Sequence, residues 1–171
     1  NLDVTAASNL AVVNIGATNT LNVSGAFGLT LAANSVGIVD ATNLTGVLTA
    51  TGETAKLVTI TGGSGNDAIT ATTADVLTLD GGAGVDTLTI TAGGLLNTST
   101  VSNFEVIQLA DNDNFFTASQ LNGATYAIKG VNGVNDDLNI QTQANSWDST
   151  TLNLSGLVFD ATVEEVDLDI S

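Results

Sequence analysis

The chain has no cysteine, which excludes disulfides and thiolate metal sites. It has no histidine either, so hydrolytic triads lack their general base and thiol nucleophiles lack their attacking group. Arginine is missing and the only lysines are Lys56 and Lys129. Nothing in the sequence could displace the counterions of a nucleic acid, which takes clustered basic side chains. No apolar run reaches the roughly 18 residues of a membrane-spanning helix. Aromatic residues make up only 4% of the chain, too few for a sugar-binding platform, and proline and methionine are absent. No signal peptide is visible, and Asn1 already lies inside a patterned segment, so the sequence reads as part of something longer.

Against two cations stand 18 acidic residues, for a net charge of -16. Such an excess disfavours an anionic membrane surface. It favours divalent cations, because uncompensated carboxylates repel one another in a compact state. Disorder is not expected, since 43% of the residues are apolar and the mean hydropathy is positive. The 171 residues suffice for one buried domain or a short stacked array.

Thr, Asn, Ala and Gly dominate what is present. Thr and Val favour pleated strands, whereas Gly and Asn favour tight turns. Short alternating segments recur at Leu2–Val4, Leu10–Val12, Leu21–Val23, Leu29–Leu31, Gly37–Val39, Val47–Thr49, Leu57–Ile60, Ala68–Thr70, Leu77–Leu79 and Leu88–Ile90. Their spacing is too short for strand-helix-strand units. It suits an antiparallel sandwich or a β-solenoid with one strand and one turn per side. Strands this short, running unbroken into the repeats described next, favour the solenoid. Its aliphatic residues would point inward and stack on their equivalents one coil away.

Two nonapeptides stand out. Residues 62–70 (GGSGNDAIT) and 81–89 (GGAGVDTLT) both fit G-G-x-G-x-D-x-U-x, where U is a large aliphatic residue. The glycines permit positive φ and close backbone approach, so several carbonyls can face one ion. The aspartate at the sixth position supplies a hard anionic oxygen. Calcium takes six to eight oxygens, more than one turn can offer, so a second turn must stack on the first. Gly62 and Gly81 are 19 residues apart, close to the 18 of two nonapeptides forming one coil. The two turns are therefore expected on the same side, one coil apart, with residues 71–79 forming the opposite side. A single calcium site between Asp67 and Asp86 follows, with ordinary glycine-rich turns free of metal as the alternative.

These motifs resemble the calcium-binding repeats-in-toxin (RTX) family. The resemblance implies an all-β parallel β-roll over residues 1–95, with a less regular β-rich extension over 96–171 that continues the solenoid. It also implies a calcium ion held by backbone carbonyls and the two sixth-position aspartates. On this chain those ligands are Gly62, Ser64 and Asp67 from one turn and Gly82, Gly84 and Asp86 from the next. Asn66 and Asp80 are near neighbours of that set. A wider likeness is to bacterial surface-layer proteins that carry such repeats. It rests on the Thr/Asn/Ala/Gly-rich, Lys-poor composition, on the segment 38–46 (IVDATNLTG) before the nonapeptides, and on 103–109 (NFEVIQL) after them. That likeness implies one-step (type I) secretion, folding in extracellular calcium, a place on the cell surface and self-association into a lattice. Cell-surface glycan would be bound through other parts of a longer chain. A module of a calcium-dependent RTX adhesin, or the calcium-folding tail of a secreted enzyme or toxin, are the competing readings. No catalytic constellation is found, so no enzymatic activity is expected.

The second half is expected to hold a strand at Asn103–Leu109 and a short helical turn at Thr117–Gly123, N-capped by Thr117 and C-capped by Gly123. Further strands are expected at Tyr126–Ile128, Leu138–Ile140, Leu152–Leu154 and Val166–Ile170. Residues 163–168 loosely echo 104–109, which suggests a longer internal repeat. Phe115, Phe116, Tyr126, Trp147 and Phe159 read as packing residues. Asp111–Asn114 reads as a solvated turn rather than a metal loop, and Gly133–Ile140 as a plain turn rather than a decayed nonapeptide. Asp40 and Asp148 read as turn residues, and Glu164 and Glu165 as capping or solvent-facing.

Overall fold

The computed structural model describes residues 1–11, 16–34, 36–52, 58–71, 77–91, 94–95, 99–109, 113–130, 137–141, 153–160, 163 and 166–169. Among them the chain is a parallel β-solenoid built from three sheets. The first sheet stacks, in chain order, Leu2–Val4, Gly16–Gly25, Val36–Leu44, Val58–Thr61, Leu77–Asp80 and Thr100–Ser102. The second stacks Ser8–Leu10, Leu29–Asn34, Leu48–Gly52, Ala68–Ala71, Thr87–Ile90, Val106–Gln108, Ala127–Lys129 and Val158–Phe159. As far as Val106–Gln108 each coil lays one strand on each of these two walls; beyond it the second wall alternates with a third sheet. A third, four-stranded sheet of Gly94–Leu95, Asn114–Thr117, Leu138–Gln141 and Val166–Asp169 joins in the second half.

Register explains the core. Leu31, Ala50, Ile69, Leu88, Ile107 and Ile128 are aligned across successive coils of the second sheet. Leu21, Val39, Ile60, Leu79 and Val101 form the facing column in the first. Alternation with Thr, Asn and Ser puts the aliphatic side chains inward and the hydroxyls outward. The interior is narrow enough that one aliphatic residue per coil fills each column. In the second half Phe116 is buried, as expected of a packing aromatic, and so is Phe104. Phe115 and Tyr126 are half-buried, while Phe159 is exposed. Trp147 lies outside the described residues. No helix among the described residues is long and apolar enough to cross a membrane.

Several expectations need correction. The strand after the nonapeptides is only Val106–Gln108, because Asn103 has φ 54 and Phe104 and Glu105 belong to the turn. Asparagine tolerates that left-handed conformation, and a ladder cannot run through it. The helix spans Ala118–Leu121 with Thr117 as N-cap in a capping box with Gln120, but its C-cap is Asn122. Gly123 follows with φ +73, one position beyond the cap. Asp40 is no turn residue: it lies within Val36–Leu44, and its Oδ1 accepts from the backbone N–H and hydroxyl of Thr42. The echo between 104–109 and 163–168 is not structural equivalence. Val106–Gln108 is in the second sheet and Val166–Asp169 in the third. Asp111, Asp148, Glu164, Glu165 and the first half of the 133–140 segment lie outside the described residues.

Candidate metal centre

Both nonapeptide turns cross from the first sheet to the second. Residues 62–67 connect Val58–Thr61 to Ala68–Ala71, and residues 81–86 connect Leu77–Asp80 to Thr87–Ile90. Thr61 pairs with Asp80, and Ala68 with Thr87, so the turns stack one coil apart as the 19-residue spacing requires. Backbone bonds join them directly. Gly62 N–H donates to Asp80 O (2.8 Å), Ala83 N–H to Gly63 O (2.9 Å) and Thr87 N–H to Asp67 O (2.9 Å).

The glycines make that approach possible. A Cβ on Gly62 would collide with the Gly81 carbonyl and stand 2.5 Å from Asp67 Oδ2. A Cβ on Gly81 would collide with the Asn103 carbonyl and stand 3.0 Å from Asp86 Oδ2. Gly82 (φ +93) and Gly84 (φ +138) adopt conformations closed to most side chains, and each lies against a carbonyl of the turn below. The result is a cradle of backbone and carboxylate oxygens packed closer than any side chain would allow.

The aspartates hold an unusual position. Leu29 and Leu48 pair in the second sheet and point inward. In the next two coils Asp67 and Asp86 take the same place in the column, just before Ala68 and Thr87. They are 1% and 0% exposed. Each is tied to the coil below. Leu48 N–H donates to Asp67 Oδ1 (2.7 Å), and Asp67 N–H donates to Asp86 Oδ1 (2.6 Å). Asp86 N–H in turn donates to Glu105 Oε2 (2.7 Å). Residues 48, 67, 86 and 105 thus form one column with a constant pitch of 19 residues.

The second oxygens differ. Asp67 Oδ2 accepts the Gly63 N–H at 2.7 Å. The corresponding N–H in the next turn, that of Gly82, goes instead to Asp80 Oδ1 (3.0 Å). Asp86 Oδ2 is left buried without a hydrogen-bond partner. Burial pushes the Asp67 carboxyl above the usual aspartate range, opposed in part by the N–H groups of Leu48 and Gly63. Burial also raises Asp86; the Asp67 N–H opposes this, and the charges of Asp67, Glu105 and Asp80 add to it. Two ionised carboxylates in this wall are costly unless a cation compensates them.

The expected ligand set is partly assembled. Asp67 and Asp86 are brought together, and Gly62, Gly82 and Gly84 line the stacked turns. Ser64 is exposed, with its N–H on Leu44 O (3.0 Å). Asn66 Oδ1 accepts from Val85 N–H (3.0 Å), making it a brace between the turns. Among the described residues no three acidic side chains converge as a ready-made metal-binding group. Any ion here must therefore draw on carbonyls. The oxygen-only donors suit calcium and not the softer metals. Three neighbours of the aspartates were missed from the sequence: Gly81, whose carbonyl lies with Asp67 Oδ2 against the α-carbon of Gly62, and Asn103 and Glu105 in the next turn. The 19-residue pitch already marks Glu105; Asn103 carries no such signal. Comparison of the chain with family models, with curated proteins and with solved structures finds no match.

Proposed function

We propose that this chain is a calcium-ordered structural segment of a secreted bacterial surface layer. The observation that carries the calcium half of this reading is the buried link from Asp67 N–H to Asp86 Oδ1 between two glycine-lined turns. The ion would be held by the carboxylates of Asp67 and Asp86 and by carbonyls of Gly62, Ser64, Gly82 and Gly84, with Gly81 added. Bound calcium supplies positive charge where burial and mutual repulsion oppose ionisation. Binding is then coupled to folding, which suits a chain only marginally stable in calcium-poor cytosol and fully ordered outside. The surface-layer half rests on the composition and on the resemblance described above. Outward threonine and asparagine ladders give the walls a polar, repetitive face suited to self-association.

An adhesin module is the second reading. It is favoured by exposed Phe27, Val47 and Val85, which lie on turns joining the two walls. A shallow open groove beside Val47, floored by Gly28 and Leu29, adds to that apolar spot.

Electron microscopy of the purified protein in millimolar calcium separates the readings. Ordered sheets that dissolve in chelator support the surface layer. Monodisperse particles that gain β-structure with calcium support the adhesin module. Circular dichroism unchanged by calcium or chelator rejects both.

A further inference from the structure

The ladder of carboxylates does not stop where the glycine motifs stop. After the second nonapeptide comes the turn Ser102-Asn103-Phe104-Glu105, which has no glycine. It nevertheless stacks on the 81–86 turn through the same kind of bonds that join the two nonapeptides. Gly81 N–H donates to Ser102 O (3.0 Å), as Gly62 N–H does to Asp80 O. Val106 N–H donates to Asp86 O (3.1 Å), as Thr87 N–H does to Asp67 O. Glu105 Oε2 accepts the Asp86 N–H, as Asp86 Oδ1 accepts that of Asp67.

Different residues reach the same arrangement. Asp80 pairs with Ser102, so two residues rather than five separate the first wall from the column position. Glutamate has one methylene more than aspartate, which lets it reach the column from this shorter turn. Asn103, at φ 54, supplies a left-handed residue in a turn that has no glycine. Its Nδ2 bonds Asp80 Oδ1 at 2.7 Å, fixing the turn against the one below.

Between these two turns lies the partnerless Asp86 Oδ2. It is fully buried, and it lies with the Asn103 carbonyl against the bare α-carbon of Gly81. The same relationship exists one coil earlier between Asp67 Oδ2, the Gly81 carbonyl and Gly62, but there Gly63 N–H satisfies the carboxylate. The gap above Asp86 therefore has the greater need of a positive charge.

We infer that a second divalent-cation site, of calcium type, lies between the 81–86 and 102–105 turns, formed by Asp86 Oδ2, the Asn103 carbonyl and the Glu105 carboxylate. It extends metal binding one coil beyond the recognisable motifs. It shares Asp86 with the site proposed above and rests on the same view of the column, but its other ligands, Asn103 and Glu105, are distinct.

Equilibrium dialysis against radiolabelled calcium tests it on the whole chain, with the Glu105→Gln and Asp67→Asn variants alongside. Glutamine keeps an oxygen for the Asp86 N–H, so Glu105→Gln retains the ladder while removing the charge. Retention of wild-type circular dichroism by that variant checks the fold. The expected result is two ions on the wild type, with one lost or weakened at least tenfold in Glu105→Gln and the other in Asp67→Asn. One ion on the wild type, unaffected by Glu105→Gln, overturns the second site and leaves the first standing. One ion lost in Glu105→Gln but kept in Asp67→Asn supports this site and overturns the first. No ion at millimolar calcium overturns both.

Discussion

The backbone N–H of Asp67 donates to Oδ1 of Asp86 across 2.6 Å, so the sixth residue of one glycine turn is clamped by the sixth residue of the next. Both aspartates sit where the coils before them carry leucine. A column that carries leucine for two coils carries carboxylates for the following three, Asp67, Asp86 and Glu105, at an unchanged pitch of 19 residues.

Replacing Asp67 by alanine strands two buried N–H groups, those of Leu48 and Gly63. Each unsatisfied donor costs about 1–3 kcal/mol. Asp67→Ala is expected to lower the urea midpoint in chelator and in calcium alike. Asp86→Ala strands one, that of Asp67, and removes the oxygen that lacks a partner. It is expected to cost less in chelator, and both variants should lose the calcium-induced gain in β signal.

Acidity acts on the metal-free protein in an unexpected direction. Folding raises the Asp67 and Asp86 carboxyls above their ordinary value of 3.8. Between that value and the raised one, the folded state binds more protons than the unfolded state. Stability must then fall as pH rises through this window. In chelator, the contribution of these two groups is fully present below pH 3.8 and is lost as pH rises through their folded values. Saturating calcium, which needs the ionised form, is expected to reverse the slope. Urea midpoints measured across that range, with and without calcium, check the sign.

Gly62→Ala and Gly81→Ala place a methyl group against a backbone carbonyl that has no room to move. Overpacking of this kind costs about 1–3 kcal/mol or more. Gly123→Ala is the control. Its φ is also positive, +73, but nothing lies within 4 Å. That substitution is expected to cost only the left-handed backbone term of about 1–2 kcal/mol. Thermal melts in calcium should rank Gly123→Ala as the mildest of the three.

Calcium should rescue a weakened core. Leu88 is fully buried in the inward column, and Leu88→Ala is expected to cost about 2–5 kcal/mol. Extracellular calcium modules bind at roughly 0.1–1 mM. Ion at a hundred times the dissociation constant returns about 2.7 kcal/mol per site. The variant is expected to be largely unfolded in chelator and substantially refolded in calcium, by circular dichroism.

The walls were legible because their signal is periodic. Leu57–Ile60, Ala68–Thr70, Leu77–Leu79 and Leu88–Ile90 mark strands within a residue or two of Val58–Thr61, Ala68–Ala71, Leu77–Asp80 and Thr87–Ile90. The stacking of the two glycine turns was legible from one interval. Asn103–Leu109 misled, because its alternation continues into a turn whose geometry is set by one left-handed asparagine. The partners of the aspartates were hidden for another reason. A carboxylate that binds a backbone N–H one coil away leaves no residue type to recognise, only a distance along the chain.

The parallel register has a kinetic consequence. Through the first five strands of each wall, every paired residue meets a neighbour 18 to 21 places along the chain. No contact in these ladders waits for a distant segment to arrive, so growth can proceed rung by rung from any nucleus. A strand delivered progressively has its docking edge ready before the next one emerges, and the molecule can zip up while much of its length is still in transit.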